Sequence, residues 1–594
     1  MMISALASYY DQLLREYPDK VARPGWTTCA VNNILVLSES GSLVRIVPMG
    51  DKHGTPKVVP AQAKKTSGVK ADFLCDKAAY FFGIDPKMDS KRSRKCFEAS
   101  KARHHEILDG VSSSVASAIT AYFDTWDPDD TVAIQRLGSV FIDACEKGKL
   151  TFALLTPDGC LQNAEEDRKI SEAWDAFNAN DFEDDTPMVC LATGRETVPA
   201  KLHPSIKGIV GANSAGASLV SFNAPAFESY GHDGEQGRNA PVGEKTAQAY
   251  GLALNQLLSD PSHRLRIGDT TVVFWSERAD QENTDLFSML LGGVPSGEAK
   301  RDATDIDRDL AAILSELHSG KRVDLGGVDL DATFYVLGLA PNNARLSVRY
   351  FLKDGFGSML KNVEDHYHRI EVAHGPGERS VLTPYWLLRS VENREASNPI
   401  VTSELAPPFI RAILGGGRYP ESLYSNVLLR IKANRDVTYA QAAIIKGYLI
   451  RNCGRSEDEV TVELNEGRND VAYNLGRAFS YLGQIQEAAN GKDTLTGRYL
   501  DSACSRPAIV FPMLLKLSND HLRKLSREKP GLAISLEKGL VEVLSGDRVG
   551  AFPKQLSLVE QGDFMLGYYH QKAARYQKKI DDADIKSANE PKEA

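Results

Sequence analysis

Apolar positions along the chain recur with two periods, and the place where one gives way to the other divides it. Over residues 3–17, Leu6, Tyr9, Tyr10, Leu13 and Leu14 fall at helical spacing until Pro18 ends the run, which predicts a docking helix. The runs 33–37 and 42–47 are β-rich and punctuated by Gly41, Pro48, Gly50 and Gly54, which predicts a hairpin. A basic, polar stretch at 58–69 and an apolar-aromatic one at 72–82 lead into residues 91–108, where helical spacing returns with a charged face. Strand-like runs follow at 188–191, 218–222, 270–275, 332–339 and 345–351.

Beyond Pro407-Pro408 the helical period takes over. Segments 423–432, 439–449, 472–489, 508–525, 533–544 and 558–579 carry apolar residues at i, i+3, i+4 and i+7 between Gly and Pro breaks. The predicted fold class is α+β, a mixed α/β N-terminal region with a C-terminal all-α helical bundle. We divide the chain into a mixed α/β domain at 1–255, a second mixed region at 256–400 and a bundle at 401–594. From Asp581 the tail is polar, and fraying is expected there.

Composition bounds this picture. The 594 residues are 42% hydrophobic and 25% charged, which suits a globular protein. At roughly 100–200 residues per domain, three to five packed units are expected. No apolar run approaches the ~18–20 residues of a membrane span, and no basic-then-apolar leader opens the chain, so a soluble cytoplasmic protein without a membrane partner is expected. Eight cysteines without a C-x-x-C pair argue against a zinc cage or disulfide framework, and no cofactor is expected.

The net charge of −9 argues by itself against nucleic acid, because phosphate binding depends on Lys and Arg. That sum hides two opposed blocks. Residues 52–103 hold thirteen Lys or Arg against five acids, a local +8, and residues 158–185 hold ten acids against Arg168 and Lys169, a local −8. Screening confines each charge to about 8–10 Å, so a basic stripe can bind phosphate whatever the total.

Catalytic motifs fail one by one. The Gly-Lys pairs at 148–149, 320–321 and 491–492 are followed by Leu, Arg or Asp, so no Walker A loop exists. Gly375-Pro376-Gly377 lacks the third glycine of a dinucleotide fingerprint. Residues 212–216 approximate a nucleophile elbow around Ser214, with His232-Asp233 further on, yet an elbow needs a following helix and the strand-like 218–222 comes next. His104-His105-Glu106 sets two imidazoles about 100° apart on a helix, where a zinc pair takes i, i+4 spacing. A serine- or metal-dependent hydrolase or nuclease built on these residues is therefore the alternative reading. The acidic cluster at 181–185 lacks the spacing of a calcium loop.

Residues 211–241 are the most unusual stretch, rich in Gly, Ser, Asn and Ala, with isolated amides at Asn213, Asn223, Gln236 and Asn239 among Phe222, Phe227 and Tyr230. Small residues let backbone approach a ligand, and amides both donate to and accept from base edges. In the bundle, Arg506, Lys516, Arg523, Lys524, Arg527 and Lys529 outnumber Asp520 and Glu528, while Lys572, Arg575, Lys578 and Lys579 meet no acid between Phe564 and Ile580. Basic helical faces without a base-reading motif suit sequence-independent backbone binding.

Several blocks together carry a resemblance over almost the whole length: SGVKADFLCDKAAYFFG (67–83), LHPSIKGIVGANSAGASLVSFNAPAFESYG (202–231), GRNAP (237–241), IGDTTVVFW (267–275), FYVLGLAPNNARLSVRYF (334–351), RPAIVFPMLLKLSNDHLRKL (506–525) and LSLVEQGDFMLGYYHQK (556–572). The chain resembles the large subunit of the type I-C CRISPR Cascade surveillance complex. The resemblance implies a non-catalytic subunit beside the crRNA that reads a short protospacer-adjacent motif on double-stranded DNA, helps open the duplex, stabilises the displaced strand and docks the helicase-nuclease. It implies as partners the crRNA, the target duplex with its displaced strand, the Cascade backbone, crRNA-end and small subunits, and the helicase-nuclease. Guide pairing then reads sequence, as in other RNA-guided effectors. It also implies that the C-terminal bundle is made separately as the small subunit, here 471–594, with Val471 as candidate internal start.

Combining both lines, Asn213, Ser214, Asn223, Gln236 and Asn239 are expected to read the motif or separate strands. Lys64, Lys65, Lys70, Arg92, Arg94 and Lys95 are expected to contact duplex phosphates, and Arg523, Lys524, Lys572 and Arg575 the displaced strand or hybrid backbone. A structural scaffold, with the basic window on RNA or a neighbouring subunit, is the third reading.

Overall fold

Residues 1–205 and 218–256 pack as one unit, and residues 206–217 and 257–594 as another, so the chain visits the second unit briefly before entering it for good. The computed structural model describes residues 2–589 except 18–20, 51–53, 63–67, 87, 147, 181–185, 214, 230, 233, 293–307, 309, 315–326, 376 and 393–403; in helices, the side chains of 179, 180 and 576–589 are also outside the description. Lys64, Lys65 and Ser214 thus lie outside the described residues.

In the first unit the helix Met2–Glu16 buries Leu6, Tyr9, Tyr10 and Leu13, as their spacing predicts. The predicted hairpin forms from Asn33–Leu37 and Leu43–Pro48. The strand Leu150–Leu155, which the apolar pattern did not single out, joins Asn33–Leu37 in parallel, and Leu161–Asn163 closes a four-stranded sheet. Asn33–Leu37 is buried at every position, so its sequence NILVL runs continuously apolar after the first residue instead of alternating. A separate ribbon pairs Trp26–Val31 with Thr55–Pro60. The helices Ser90–Leu108, Ser114–Thr125 and Thr131–Glu146 contribute to an aromatic core holding Phe73, Phe81, Phe82, Phe97, Phe123 and Phe152. Ser113 starts Ser114–Thr125 by accepting the N–H groups of Val115 and Ala116.

The second unit carries a six-stranded sheet in which Arg264–Ile267, Thr270–Ser276, Thr333–Asn342 and Arg345–Gly355 run as an antiparallel meander, with Ala217–Ser218 and Ser205–Ile206 beyond them. Asn343, at φ 53°, makes the tight turn between the two long strands, a conformation asparagine tolerates better than most side chains. The strand expected over 218–222 ends at Ser218, because the chain there leaves the sheet and returns to the first unit. One hydrophobic core runs from Ile267 to Tyr569, through the sheet into the helices.

The C-terminal helical region forms where the period predicts it: Glu421–Asn434, Tyr439–Cys453, Val471–Asn490, Pro507–Glu528, Pro530–Val543 and Leu558–Asn589, with Leu495–Ser505 added. Thr438 and Gln441 build a capping box at the start of Tyr439–Cys453. Asp563, fully buried on Leu558–Asn589, is held by Arg468 and, at 3.2 Å, by Arg455. Burial nonetheless pushes its carboxyl up to about 6, against the pull of both guanidiniums. No helix among the described residues is long and apolar enough to cross a membrane.

Candidate nucleic-acid interface

The helix Ser90–Leu108 turns Ser93, Cys96, Phe97, Ser100, His104, Ile107 and Leu108 inward. That phase leaves Lys91, Arg92 and Lys95 exposed on its first two turns, without ion pairs among the described residues. The positive end of the helix dipole adds to these cations, so the surface favours an anion. Arg94, by contrast, is ion-paired with Asp129, and Lys70 is exposed on irregular backbone that bonds the Tyr80 side chain.

The two neighbouring histidines sit in different environments. His104 is fully buried; its Nδ1 donates to the Ser100 carbonyl at 2.7 Å and its Nε2 accepts the Leu74 N–H at 3.1 Å. Burial lowers the imidazole to about 3, so it stays neutral. The helix turns His104 into the aromatic core. His105 lies nearer the surface and meets Asp124 at 3.1 Å, where Lys101 also pairs at 2.9 Å. Downstream of Ser214 the chain enters the strand Ala217–Ser218 rather than a helix, which leaves the elbow geometry unmet.

The structure assigns the amides of 211–241 different work. Asn213 belongs to the second unit, exposed on the loop between Ser205–Ile206 and Ala217–Ser218, where its Oδ1 accepts the Ala215 N–H at 3.1 Å. Asn223, Gln236 and Asn239 belong to the first. Asn239 is consumed within the loop: its Oδ1 accepts the Ser229 N–H at 2.7 Å, and its Nδ2 donates to the carbonyls of His232 at 3.1 Å and Glu235 at 3.2 Å. The amide ties the loop shut, with its N–H donors both turned inward to loop carbonyls.

Gln236 is the contrasting case. Half-buried, it makes no side-chain hydrogen bond among the described residues and lines a cleft of about 330 Å³ with Lys201, Leu202, Glu235 and Arg238. Arg238 fixes one wall, reaching Glu235 at 3.0 Å and the Thr186 carbonyl at 3.2 Å. Asn223 is exposed on the same segment. Lys201 escaped the sequence reasoning because it stands alone, far from the turn that completes its cleft.

The C-terminal cations also split. Arg523 and Lys524 are exposed on Pro507–Glu528, Arg523 facing Asp520 at 3.5 Å and Lys524 donating to Asn490 at 3.1 Å. With exposed Lys516 and Arg527 they keep that helix basic outward. Lys572 and Arg575 are half-buried cross-ties, Lys572 to Asp436 at 2.8 Å and Arg575 to Glu487. Their charge is spent inside the unit.

No curated protein matches this chain. The family model described as CRISPR-associated protein (Cas_Csd1) matches residues 6–576, spanning both units and every described residue of the candidate interface. This chain belongs to the CRISPR-associated Cas_Csd1 family.

Proposed function

We propose that this chain is the non-catalytic large subunit of a type I-C crRNA-guided surveillance complex, reading a protospacer-adjacent motif on double-stranded DNA, assisting duplex opening and R-loop stabilisation, and helping to recruit the helicase-nuclease. The family match over 6–576 carries this reading. The geometry supports it with a division of labour: exposed cations at Lys91, Arg92 and Lys95, without ion pairs among the described residues, for phosphates, an amide at Gln236 that makes no side-chain hydrogen bond among those residues for base edges, and exposed Arg523 and Lys524 for a single strand. The absence of catalysis is part of the proposal, supported by the buried, fully bonded His104 and the strand after Ser214.

Gel shifts of the assembled complex, on duplexes with and without the motif, test this. Gln236→Ala should erase the preference for motif-bearing duplex. Charge reversal at Arg92 and Lys95 should weaken both duplexes alike and flatten the salt dependence by about 0.9 per lost phosphate contact. A complex that assembles and discriminates normally with both changes sinks the assignment. Failure at assembly instead favours the scaffold reading.

A further inference from the structure

Away from the interface above, three guanidiniums line one open cleft of about 370 Å³ in the second unit: Arg369 on Phe356–Ile370, Arg418 after Ala406–Leu414, and Arg451 on Tyr439–Cys453. Asp365 is the one carboxylate in the lining among the described residues, and it pairs with Arg369 at 2.9 Å. Arg418 is exposed and has no ion pair among the described residues. Nη1 of Arg369 is enclosed without a hydrogen-bond partner among those residues, although the Tyr419 hydroxyl bonds the same guanidinium. The cluster thus carries an uncompensated charge of +2, three Arg less one Asp. Burial and the neighbouring Arg369 both disfavour the charge on Arg451, and Tyr419 and Asp365 offset this only in part.

The rim of the cleft is the run Gly415-Gly416-Gly417, and it is held in place. Asn362 donates to the Leu414 carbonyl at 2.9 Å, Arg451 Nε donates to the Gly417 carbonyl, and Asn452 accepts the Tyr419 N–H at 2.9 Å while donating to its carbonyl at 2.8 Å. Gly416 sits at φ 66°, and a Cβ there would stand 2.6 Å from Asn362 Oδ1, so only glycine fits. The N–H groups of Gly416 and Gly417 make no hydrogen bond among the described residues. A pinned glycine loop with free amides beside forked guanidiniums is the chemistry that takes a tetrahedral oxyanion.

We propose that the cleft formed by Arg369, Arg418, Arg451 and the Gly415–Gly417 loop binds a phosphate group, and that this phosphate is a phosphodiester of nucleic acid. The choice of nucleic acid rests on the function proposed above; the oxyanion chemistry does not. The cleft holds the phosphate by charge and backbone amides without reading sequence.

The full-length protein is assayed in two arms, as wild type and as Arg418→Glu, with Arg451→Lys as a second variant that keeps charge but loses the fork. In the first arm, sodium phosphate should raise the unfolding temperature over sodium chloride of equal ionic strength, and Arg418→Glu should abolish that rise. In the second, a labelled single-stranded oligonucleotide followed by anisotropy should bind Arg418→Glu roughly tenfold more weakly, with a log–log salt slope shallower by about 0.7. Arg451→Lys should fall between. A phosphate-induced rise that survives in Arg418→Glu overturns the site. A rise lost in the variant with unchanged oligonucleotide affinity overturns the phosphodiester and leaves a site for free phosphate. Either failure, with motif-dependent duplex binding by the assembled complex intact, refutes the cleft and spares the proposed function.

Discussion

Gly476 and Gly567 face each other's helices so closely that a Cβ on Gly476 would stand 1.9 Å from the Phe564 carbonyl oxygen, and one on Gly567 2.1 Å from that of Tyr473. The two glycines let Val471–Asn490 and Leu558–Asn589 touch backbone to backbone, which centres the C-terminal core. Alanine would gain about 1 kcal/mol of helix propensity at either position. Forcing the helices apart costs more, about 1–3 kcal/mol for overpacking alone. Gly476→Ala and Gly567→Ala should each lower the thermal unfolding midpoint, and an unchanged or raised midpoint in both would refute the contact.

Stability should fall in acid because of buried histidines. Burial lowers His104, His366 and His570 to about 3 and His203 to about 4, all below the ordinary 6.5. Each is neutral when folded and protonates on unfolding, so its contribution is complete above about pH 6.5 and is lost as pH falls toward those values, by about 1.4 kcal/mol per pH unit per histidine. Asp563, raised to about 6, acts in the opposite sense between about 6 and 4, but it is one group against four. Urea midpoints at pH 7.5 and 5 check the sign: the midpoint should drop at pH 5, and a rise would contradict it.

Asn239 and Gln236, three positions apart, should fail differently. Asn239→Ala removes three loop bonds and should open residues 229–239 to limited proteolysis, with duplex discrimination lost only as a consequence. Gln236→Ala breaks no bond among the described residues, so the proteolytic pattern should stay native while discrimination falls. Identical proteolysis of the two variants would show that Asn239 does not hold the loop.

The four C-terminal cations should sort into two pairs. Charge reversal at Arg523 and Lys524 should weaken single-strand binding with a near-native unfolding midpoint, since exposed pairs contribute only about 0–1 kcal/mol. Reversal at Lys572 and Arg575 sets acids beside Asp436 and Glu487 and should lower the midpoint. Equal stability of both double variants would remove the distinction.

Local pattern determined a good deal of this protein on its own. The helical period marked most of the C-terminal helices, and the phase of 91–108 put Lys91, Arg92 and Lys95 outward, because an amphipathic helix carries its own orientation in its spacing. The strands Thr270–Ser276, Thr333–Asn342 and Arg345–Gly355 were legible as β-rich runs, the first two buried almost throughout and so nearly continuously apolar. The blocks from 67 to 572 carried the family resemblance, and the match over 6–576 agrees with it at the level of the family.

Tertiary structure alone decided which polar groups remain available. Asp436 neutralises Lys572 from an interhelical turn, and Glu487 neutralises Arg575 from another helix, both distant in sequence, and no local spacing announces such a partner. Asn239 and Gln236 look alike in a glycine-rich loop, yet one is enclosed by three bonds and the other borders a cleft whose far wall is Lys201. The parallel pairing of Leu150–Leu155 and the convergence of Arg369, Arg418 and Arg451 are long-range events of the same kind. Periodicity records what one element buries against the rest; whether a charge or an amide is spent depends on which other element arrives beside it.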